Sequence, residues 1–206
     1  MAWHGKNTGA YADGSTEANE NAIMMYDLLD SWGYSYNAIC AILGNIGYES
    51  GYNPFRWQGD VILFDYQSNL IDEQTGHAYG LLQFDPAGQY LHNATAQSYP
   101  EFSPNYANSP GFPKDGTAQL KYMNNVAIPI NGAYIPTTAY PLTFSEFKSS
   151  NANVIYLTDT WLYNYERGTP AQDRYTHATY WETHLKDIVN VHKGMKWIYY
   201  MRRRRW

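Results

Sequence analysis

Residues 35–54 have the sequence SYNAICAILGNIGYESGYNP and predict the helix around which the rest of the fold is built. Ser35 is a favourable N-cap residue, and the apolar residues after it return every three or four positions. One face of the helix is therefore expected to be buried, with Ile39, Ile42, Leu43 and Ile46 on it. Glycines and Pro54 then place the end of the helix at Glu49 or Ser50.

Further helical patterns lie on both sides of this segment. The apolar spacing predicts longer helices over 19–32, 153–166 and 171–192, and a short helix entered through Asp115 is expected over 114–124. Two shorter helices are expected from local signals. Asp85 followed by Pro86 is typical of an N-cap and a first helical residue, and Thr143 with Glu146 can form a capping box.

The helical period disappears after the segment that carries Glu49. Short apolar runs at 61–64 and 79–84, separated by glycines, predict a small β-hairpin region. The whole pattern predicts an α+β fold that is mostly helical, with this hairpin region after the helix that carries Glu49. We divide the chain into an N-terminal arm (1–18), a main domain (19–193) and an aromatic and basic C-terminal tail (194–206).

Composition narrows the class of function. The 206 residues carry a formal charge of −5, so no nucleic-acid partner is expected. No stretch approaches the roughly 20 apolar residues of a membrane span, and the polar N-terminus predicts no signal peptide. Cys40 is the single cysteine and the six histidines form no tight ligand motif, so neither a metal site nor a cofactor is expected. The 21 tyrosines and 7 tryptophans suit stacking on sugar rings.

Glu49 is the strongest candidate for chemistry. It follows Ile46 by three residues and Ile42 by seven, which places it on the core-facing flank of the last helical turn. Partial burial and the negative end of the helix dipole both disfavour its charged form. A general acid has to hold a proton near neutral pH. Spacing alone leaves two interpretations, a general acid or a glutamate that solvates a helix end.

Motifs around Glu49 carry a resemblance to a known family. The run Tyr48-Glu49-Ser50-Gly51-Tyr52-Asn53-Pro54 and the later Gly80-Leu81-Leu82-Gln83 resemble the phage tail-type lysozymes of the lysozyme superfamily. Tyr165-Glu166-Arg167-Gly168, with Arg174 and Ala178 after it, resembles the closing helix pair of that family. The resemblance covers about residues 19–186, apart from 97–141. The Glu-Ser pair and the Gly-Leu-x-Gln segment are also similar to soluble lytic transglycosylases.

The resemblance implies a lysozyme-like fold and cleavage of the β-1,4 bond between N-acetylmuramic acid and N-acetylglucosamine in peptidoglycan. Glu49 would protonate the leaving glycosidic oxygen, assisted by a second carboxylate or by the acetamido group of the substrate. The carboxylates between Glu49 and Gln83 are Asp60, Asp65, Asp72 and Glu73. We favour Asp60, because it closes the segment 57–59 and can face the cleft.

Further site residues follow from the same motifs. Gln83 is expected to hydrogen-bond sugar groups near the scissile bond, and Ser50 to orient Glu49. The aromatic residues predicted to line sugar subsites are Tyr52, Trp57, Tyr79 and Phe84. Glu166 and Arg167 are interpreted as a structural ion pair near Arg174. The expected setting is a phage virion tail or release from the host cell, with peptidoglycan as partner and other tail proteins as further candidates.

Three alternatives remain at this point. A lytic transglycosylase would use the same glutamate and leave 1,6-anhydromuramic ends. A non-catalytic glycan-binding tail protein would keep the fold without turnover. A cysteine peptidase built on Cys40 with His77 or His92 ranks lower, because Cys40 lies inside a helix, away from the N-terminus that would activate it.

Overall fold

The computed structural model describes residues 3–6, 9–60, 77–103 and 115–203, with the backbone alone at 60, 193 and 195–203. This part of the chain is mostly helical. Two π-helical turns extend helices α5 and α7, at Met123–Ala127 and Leu162–Glu166. The helices are α1 (Thr16–Ser31), α2 (Tyr36–Ser50), α3 (Gly88–Leu91), α4 (Ala94–Gln97), α5 (Asp115–Tyr122), α6 (Phe144–Ser149), α7 (Val154–Trp161) and α8 (Gln172–Arg203).

Helix α2 is the central element, as the sequence predicts. The side chain of Ser35 accepts a hydrogen bond from the backbone N–H of Ala38 at 3.1 Å and so caps its N-terminus. Gly51 adopts a left-handed conformation and closes its C-terminus. Nearly the whole helix is buried between α7 and α8, which cover it on two sides. The predicted start, end and buried face of this helix are confirmed.

Helices α2 and α8 cross at very short distance because Gly44 has no side chain. A β-carbon on Gly44 would lie 2.5 Å from the β-carbon of Ala178 and 2.9 Å from its backbone. Arg174 lies one turn before Ala178 on α8. The close crossing therefore brings Arg174 against the last turn of α2, where Glu49 lies.

The N-terminal arm packs against the helical body. Trp3 is buried, and its indole N–H donates to the hydroxyl of Thr117 at 2.9 Å. Asn21 accepts from the backbone N–H of His4 at 2.7 Å, and the backbone N–H of Tyr11 donates to the carbonyl of Gly51 at 2.9 Å. The arm thus covers the C-terminal end of α2.

The predicted β-hairpin region is not found among the described residues. Its first run, 61–64, lies outside them, and its second run, 79–84, is a tight turn rather than a strand. Tyr79 and Phe84 exchange two backbone hydrogen bonds across this turn, and Trp57 forms an isolated bridge with Tyr79. Gly80 (φ 88°) and Gln83 (φ 45°) are left-handed, which is incompatible with an extended strand.

Other boundaries are partly as predicted. The capping box of Thr143 and Glu146 is present at the start of α6. Asp85 is not an N-cap; the expected helix after it is split into α3 and α4, because Asn93 caps a new helix with its own side chain. Helix α8 continues beyond 192, through Arg203. Our domain limits stay a prediction. Among the described helices, none combines the length and the apolar character needed to cross a membrane.

Candidate active site

Glu49 lies at the wall of an open pocket of about 380 Å³. Its side chain is 23% exposed, because it projects from the last turn of α2, where the helix leaves the core. The remaining lining comes chiefly from three segments: the turn at 82–85, the loop at 131–133 and the end of the second π-helical turn at 165–167. The pocket thus opens between the C-terminal end of α2 and two loops.

Arg174 carries the positive charge that two carboxyl groups beside this pocket share. Its side chain is only 2% exposed, and its Nη2 atom donates to Oε1 of Glu49. The Nη1 atom donates to Oε2 of Glu166 at 2.6 Å and to Oδ1 of Asn45 at 2.7 Å. The ring of Tyr48 lies 4.2 Å from the guanidinium carbon. We refer to Glu49, Arg174 and Glu166 as the carboxylate–arginine cluster.

Glu166 is the more buried of the two carboxyl groups in the cluster. Its side chain is 6% exposed, and Oε1 accepts from the indole N–H of Trp161 at 3.0 Å. Burial raises the pKa of Glu166 to about 8; Arg174 opposes this shift and the charge of Glu49 adds to it. The interpretation of Glu166 and Arg167 as an ion pair was wrong. The partner of Glu166 is Arg174, whereas Arg167 donates to the carbonyl of Ala133 at 3.3 Å.

Gln83 and Phe84 line the same pocket as Glu49. The side-chain amide of Gln83 donates to the carbonyls of Arg56 at 3.0 Å and Gly80 at 2.9 Å, which fixes its orientation. Gln83 and Arg167 are both non-glycine residues with positive φ, and they lie on different segments of the pocket wall. Backbone strain of this kind concentrates at functional sites, so it supports the pocket as the site.

Ser50 and Tyr52 do not fit their predicted roles, because both are fully buried. The hydroxyl of Ser50 donates to the carbonyl of Ile46 at 3.1 Å, within α2, and makes no bond to Glu49. The hydroxyl of Tyr52 donates to Asp13 at 2.5 Å and accepts from the indole N–H of Trp181 at 2.8 Å. Both residues therefore have packing roles in this structure.

Trp57 and Tyr79 are also core residues rather than pocket residues. Their ring centroids lie 4.5 Å apart, and the hydroxyl of Tyr79 donates to the buried carboxyl of Asp115 at 3.0 Å. Their rings belong to the buried layer behind the backbone of the turn at 79–84. Of the six residues predicted to contact the sugars or to orient Glu49, the structure thus brings only Gln83 and Phe84 to the pocket with Glu49.

The second carboxylate is not located by the structure. The backbone of Asp60 ends a short 3-10 turn, Gln58–Asp60, but its side chain lies outside the described residues. The other predicted carboxylates, Asp65, Asp72 and Glu73, also lie outside the described residues. Asp85, which the sequence analysis takes as a helix cap, is exposed at the pocket wall.

Arg174 and Asn45 are not among the predicted site residues, although both have a signal in the sequence. Arg174 precedes Ala178 by four residues and Trp181 by seven, so it shares the apolar stripe of α8. Asn45 lies one turn before Glu49 and is fully buried. A polar side chain on a buried stripe needs a buried partner. This rule predicts that each of the two residues has a buried polar partner, but it does not identify that partner.

Comparisons with known proteins agree with this geometry. The family of phage tail lysozymes matches residues 20–185. Morphogenesis protein 1 of Bacillus phage B103 is 31% identical over 195 residues, which cover 86% of this chain and 46% of that protein. The chain therefore spans about half the length of this curated relative. With Glu49 and Gln83 of the shared motifs at one pocket, we conclude that the chain belongs to the phage tail lysozyme family.

Proposed function

We propose that this protein is a peptidoglycan hydrolase of the muramidase type, which cleaves the β-1,4 bond between N-acetylmuramic acid and N-acetylglucosamine. The observation that carries the proposal is the position of Glu49, partly buried at the wall of an open pocket in a chain of the phage tail lysozyme family. The pocket volume of about 380 Å³ falls within the common range of about 300–1,000 Å³ for ligand sites.

Glu49 would act as the general acid. Its carboxyl group would donate a proton to the glycosidic oxygen as the bond to the sugar breaks, and an oxocarbenium-like transition state would develop beside it. Gln83 faces the same space and could bind an acetamido or hydroxyl group through its side-chain oxygen, because its amide N–H group is held by two backbone carbonyls. Phe84 supplies an apolar surface at the wall.

Beside the acid, the transition state needs a second group that stabilises the developing positive charge or activates the attacking water, for which we keep three candidates. Asp60 remains the proposed carboxylate, and the acetamido group of the substrate is the alternative. Asp85 joins them as an exposed carboxylate at the pocket wall. Replacing Asp60 and Asp85 separately by asparagine would distinguish them, since only loss of the true partner lowers kcat strongly.

Substitution of Glu49 by glutamine tests the proposal. Glutamine keeps the size but cannot donate the proton, so E49Q should lose at least about 100-fold in hydrolysis of purified peptidoglycan. E182Q is the matched control, because Glu182 is an exposed glutamate on α8 outside the pocket, and it should retain full activity. Activity of the wild type should fall as the pH rises and the acid loses its proton. Equal turnover by E49Q and the wild type would refute the assignment.

A lytic transglycosylase is the alternative within the enzyme class. It would use Glu49 first as acid and then as base, with the 6-hydroxyl of the muramic acid as nucleophile. Mass spectrometry of the released muropeptides separates the two, because hydrolysis leaves reducing ends and transglycosylation leaves 1,6-anhydro ends. Reducing ends support our proposal.

The alternative from another class is a non-catalytic glycan-binding tail protein. In that case the wild type would sediment with peptidoglycan without releasing soluble fragments, and E49Q would behave identically. We further propose that the protein acts in a phage virion tail or after release from the host cell, and that other tail proteins are its partners. The relation to a phage morphogenesis protein supports this setting.

A further inference from the structure

The charges of the carboxylate–arginine cluster do not balance when every member is ionised. Two carboxyl groups share one guanidinium, and Arg174 and Glu166 are almost entirely removed from water. A net negative charge at a poorly solvated site is costly, and one bound proton removes it. Within the described residues, neither Glu49 nor Glu166 has an ion-pair partner other than Arg174.

We propose that Glu166 and Arg174 are positioning residues that hold the carboxyl of Glu49 at the pocket and keep one proton in the cluster for Glu49 to donate. This inference rests on the proposed function, in which Glu49 is the general acid. Arg174 fixes the orientation of Glu49 through Nη2, while Nη1 is engaged by Glu166 and Asn45. Glu166 and Glu49 both form ion pairs with the guanidinium of Arg174.

The role of Glu166 follows from what Arg174 would do without it. A guanidinium with one carboxylate partner stabilises the charged form of that partner strongly. An ionised Glu49 cannot protonate a leaving group. A second carboxyl on the same guanidinium makes the cluster negative unless a proton binds, so the cluster retains a proton that Glu49 can transfer. Because the two carboxyl groups share one guanidinium, the raised pKa of Glu166 belongs to the pair, and either carboxyl can hold the proton.

Other titratable and charged groups near the cluster do not replace either member. From α2, the ring of Tyr48 lies against the guanidinium. Next to Glu166, burial raises the pKa of Tyr165, so its hydroxyl remains neutral. Arg167 and Asp85 line the pocket from its other walls.

One further pair lies on the neighbouring turn of α8. His177 follows Arg174 by three residues, and its Nδ1 atom lies at hydrogen-bond distance, 2.7 Å, from Oδ2 of Asp13. It is thus engaged with the N-terminal arm rather than with the cluster.

The pH dependence of kcat for E166Q tests the inference. E166Q removes one of the two carboxyl groups that share the proton, so the cluster is already neutral when Glu49 is ionised. The pH at which kcat falls should move down by about one unit or more, which corresponds to about a tenfold loss near neutral pH. KM should change less than about twofold, because the side chain of Glu166 is 6% exposed and both its oxygens are engaged by Arg174 and Trp161. Activity of E166Q should recover at lower pH. E166D keeps the charge and should restore a profile close to that of the wild type.

The two hypotheses fail in different ways. If E49Q retains activity, the proposed function fails. If E49Q is inactive but E166Q has an unshifted profile with uniformly lower kcat, Glu166 is only structural and this inference is overturned. Circular dichroism verifies the fold of each variant. Should E166Q not fold, R174K carries the test, because a lysine ammonium cannot replace the fork of Arg174. Its kcat should fall at least about tenfold with KM nearly unchanged, and a kcat equal to that of the wild type would overturn the inference.

Discussion

At the scale of single residues, Asp115 organises the layer behind the pocket. Its side chain is fully buried, and each carboxyl oxygen accepts two hydrogen bonds. Oδ1 accepts from the hydroxyl of Tyr90 at 2.6 Å and the backbone N–H of Ser103 at 3.0 Å. Oδ2 accepts from the hydroxyl of Tyr79 at 3.0 Å and the amide of Gln119 at 2.7 Å. Asp115 therefore joins α5 to α3 and to the turn that carries Gln83.

We expect D115N to lower the free energy of unfolding by about 2–4 kcal/mol. In either orientation the new amide N–H₂ group faces a donor that cannot become an acceptor, the N–H of Ser103 or the amide of Gln119. Y90F removes one hydroxyl and leaves the carboxylate three donors, so it should cost about 1 kcal/mol. Urea denaturation of the two variants measures the difference. If D115N lowers the free energy of unfolding no more than Y90F does, this account is contradicted.

Single residues also show what a sequence can predict about a site. Glu49 is recognisable because it ends an amphipathic helix and lies in a motif, and both signals are local. Asp115 and Tyr79 meet across 36 positions, and Arg174 meets Glu49 across 125. Local periodicity says nothing about such pairs. Proximity to a motif therefore predicts that aromatic residues such as Tyr52 and Trp57 line the site, whereas in the structure they pack in the core.

At the scale of elements, the crossing of α2 with α8 at Gly44 decides the geometry of the cluster. G44A improves helix propensity but places a methyl group 2.5 Å from Ala178. We expect a net loss of about 2 kcal/mol in the free energy of unfolding, because the helices must separate. The separation should also lower kcat, since it moves Arg174 away from Glu49.

The same substitution at Gly194 is the matched control. Gly194 also lies within a helix, α8, but a β-carbon there meets no atom of the described residues within 4 Å. G194A should raise the free energy of unfolding by up to about 1 kcal/mol and leave kcat unchanged. Thermal unfolding of both variants checks the prediction. If G44A and G194A change the free energy of unfolding in the same direction, the close packing at Gly44 does not limit stability.

The elements also show where sequence patterns are insufficient. Helix α2 is predicted correctly because capping residues and period agree. The segment 79–84 looks like a strand because it is short, apolar and bounded by glycine. In the structure it is a turn in which the backbone of Gln83 is left-handed. A glutamine in a sequence gives no indication of that conformation. Interactions with Gln119, which accepts from the backbone N–H of Leu81 at 2.7 Å, hold that conformation.

At the scale of the whole molecule, folding buries two carboxyl groups whose pKa is raised by burial, Asp115 and Glu166. A raised pKa means that the folded protein binds the proton more tightly than the unfolded chain does. The stabilising contribution is complete below the unfolded value and is lost as the pH rises through the folded value. For Glu166 this window extends from 4.5 to about 8.

The free energy of unfolding of the wild type should therefore decrease relative to E166Q between pH 4.5 and about 8. The difference can grow by at most about 1.4 kcal/mol per pH unit, since one proton is involved. Urea denaturation at several pH values measures it, and E182Q should follow the wild type. Parallel curves for E166Q and the wild type would show that Glu166 titrates alike in both states.

The 125-residue separation of Glu49 and Arg174 matters while the chain is being made. A ribosome adds about 5–20 residues per second, so on the order of ten seconds pass between the two residues. Throughout that interval α2 has emerged without its main covering helix, and the glutamate has no counter-ion. Glu49 can therefore form its ion pair with Arg174, and α2 can acquire its main covering helix, only after translation has reached α8.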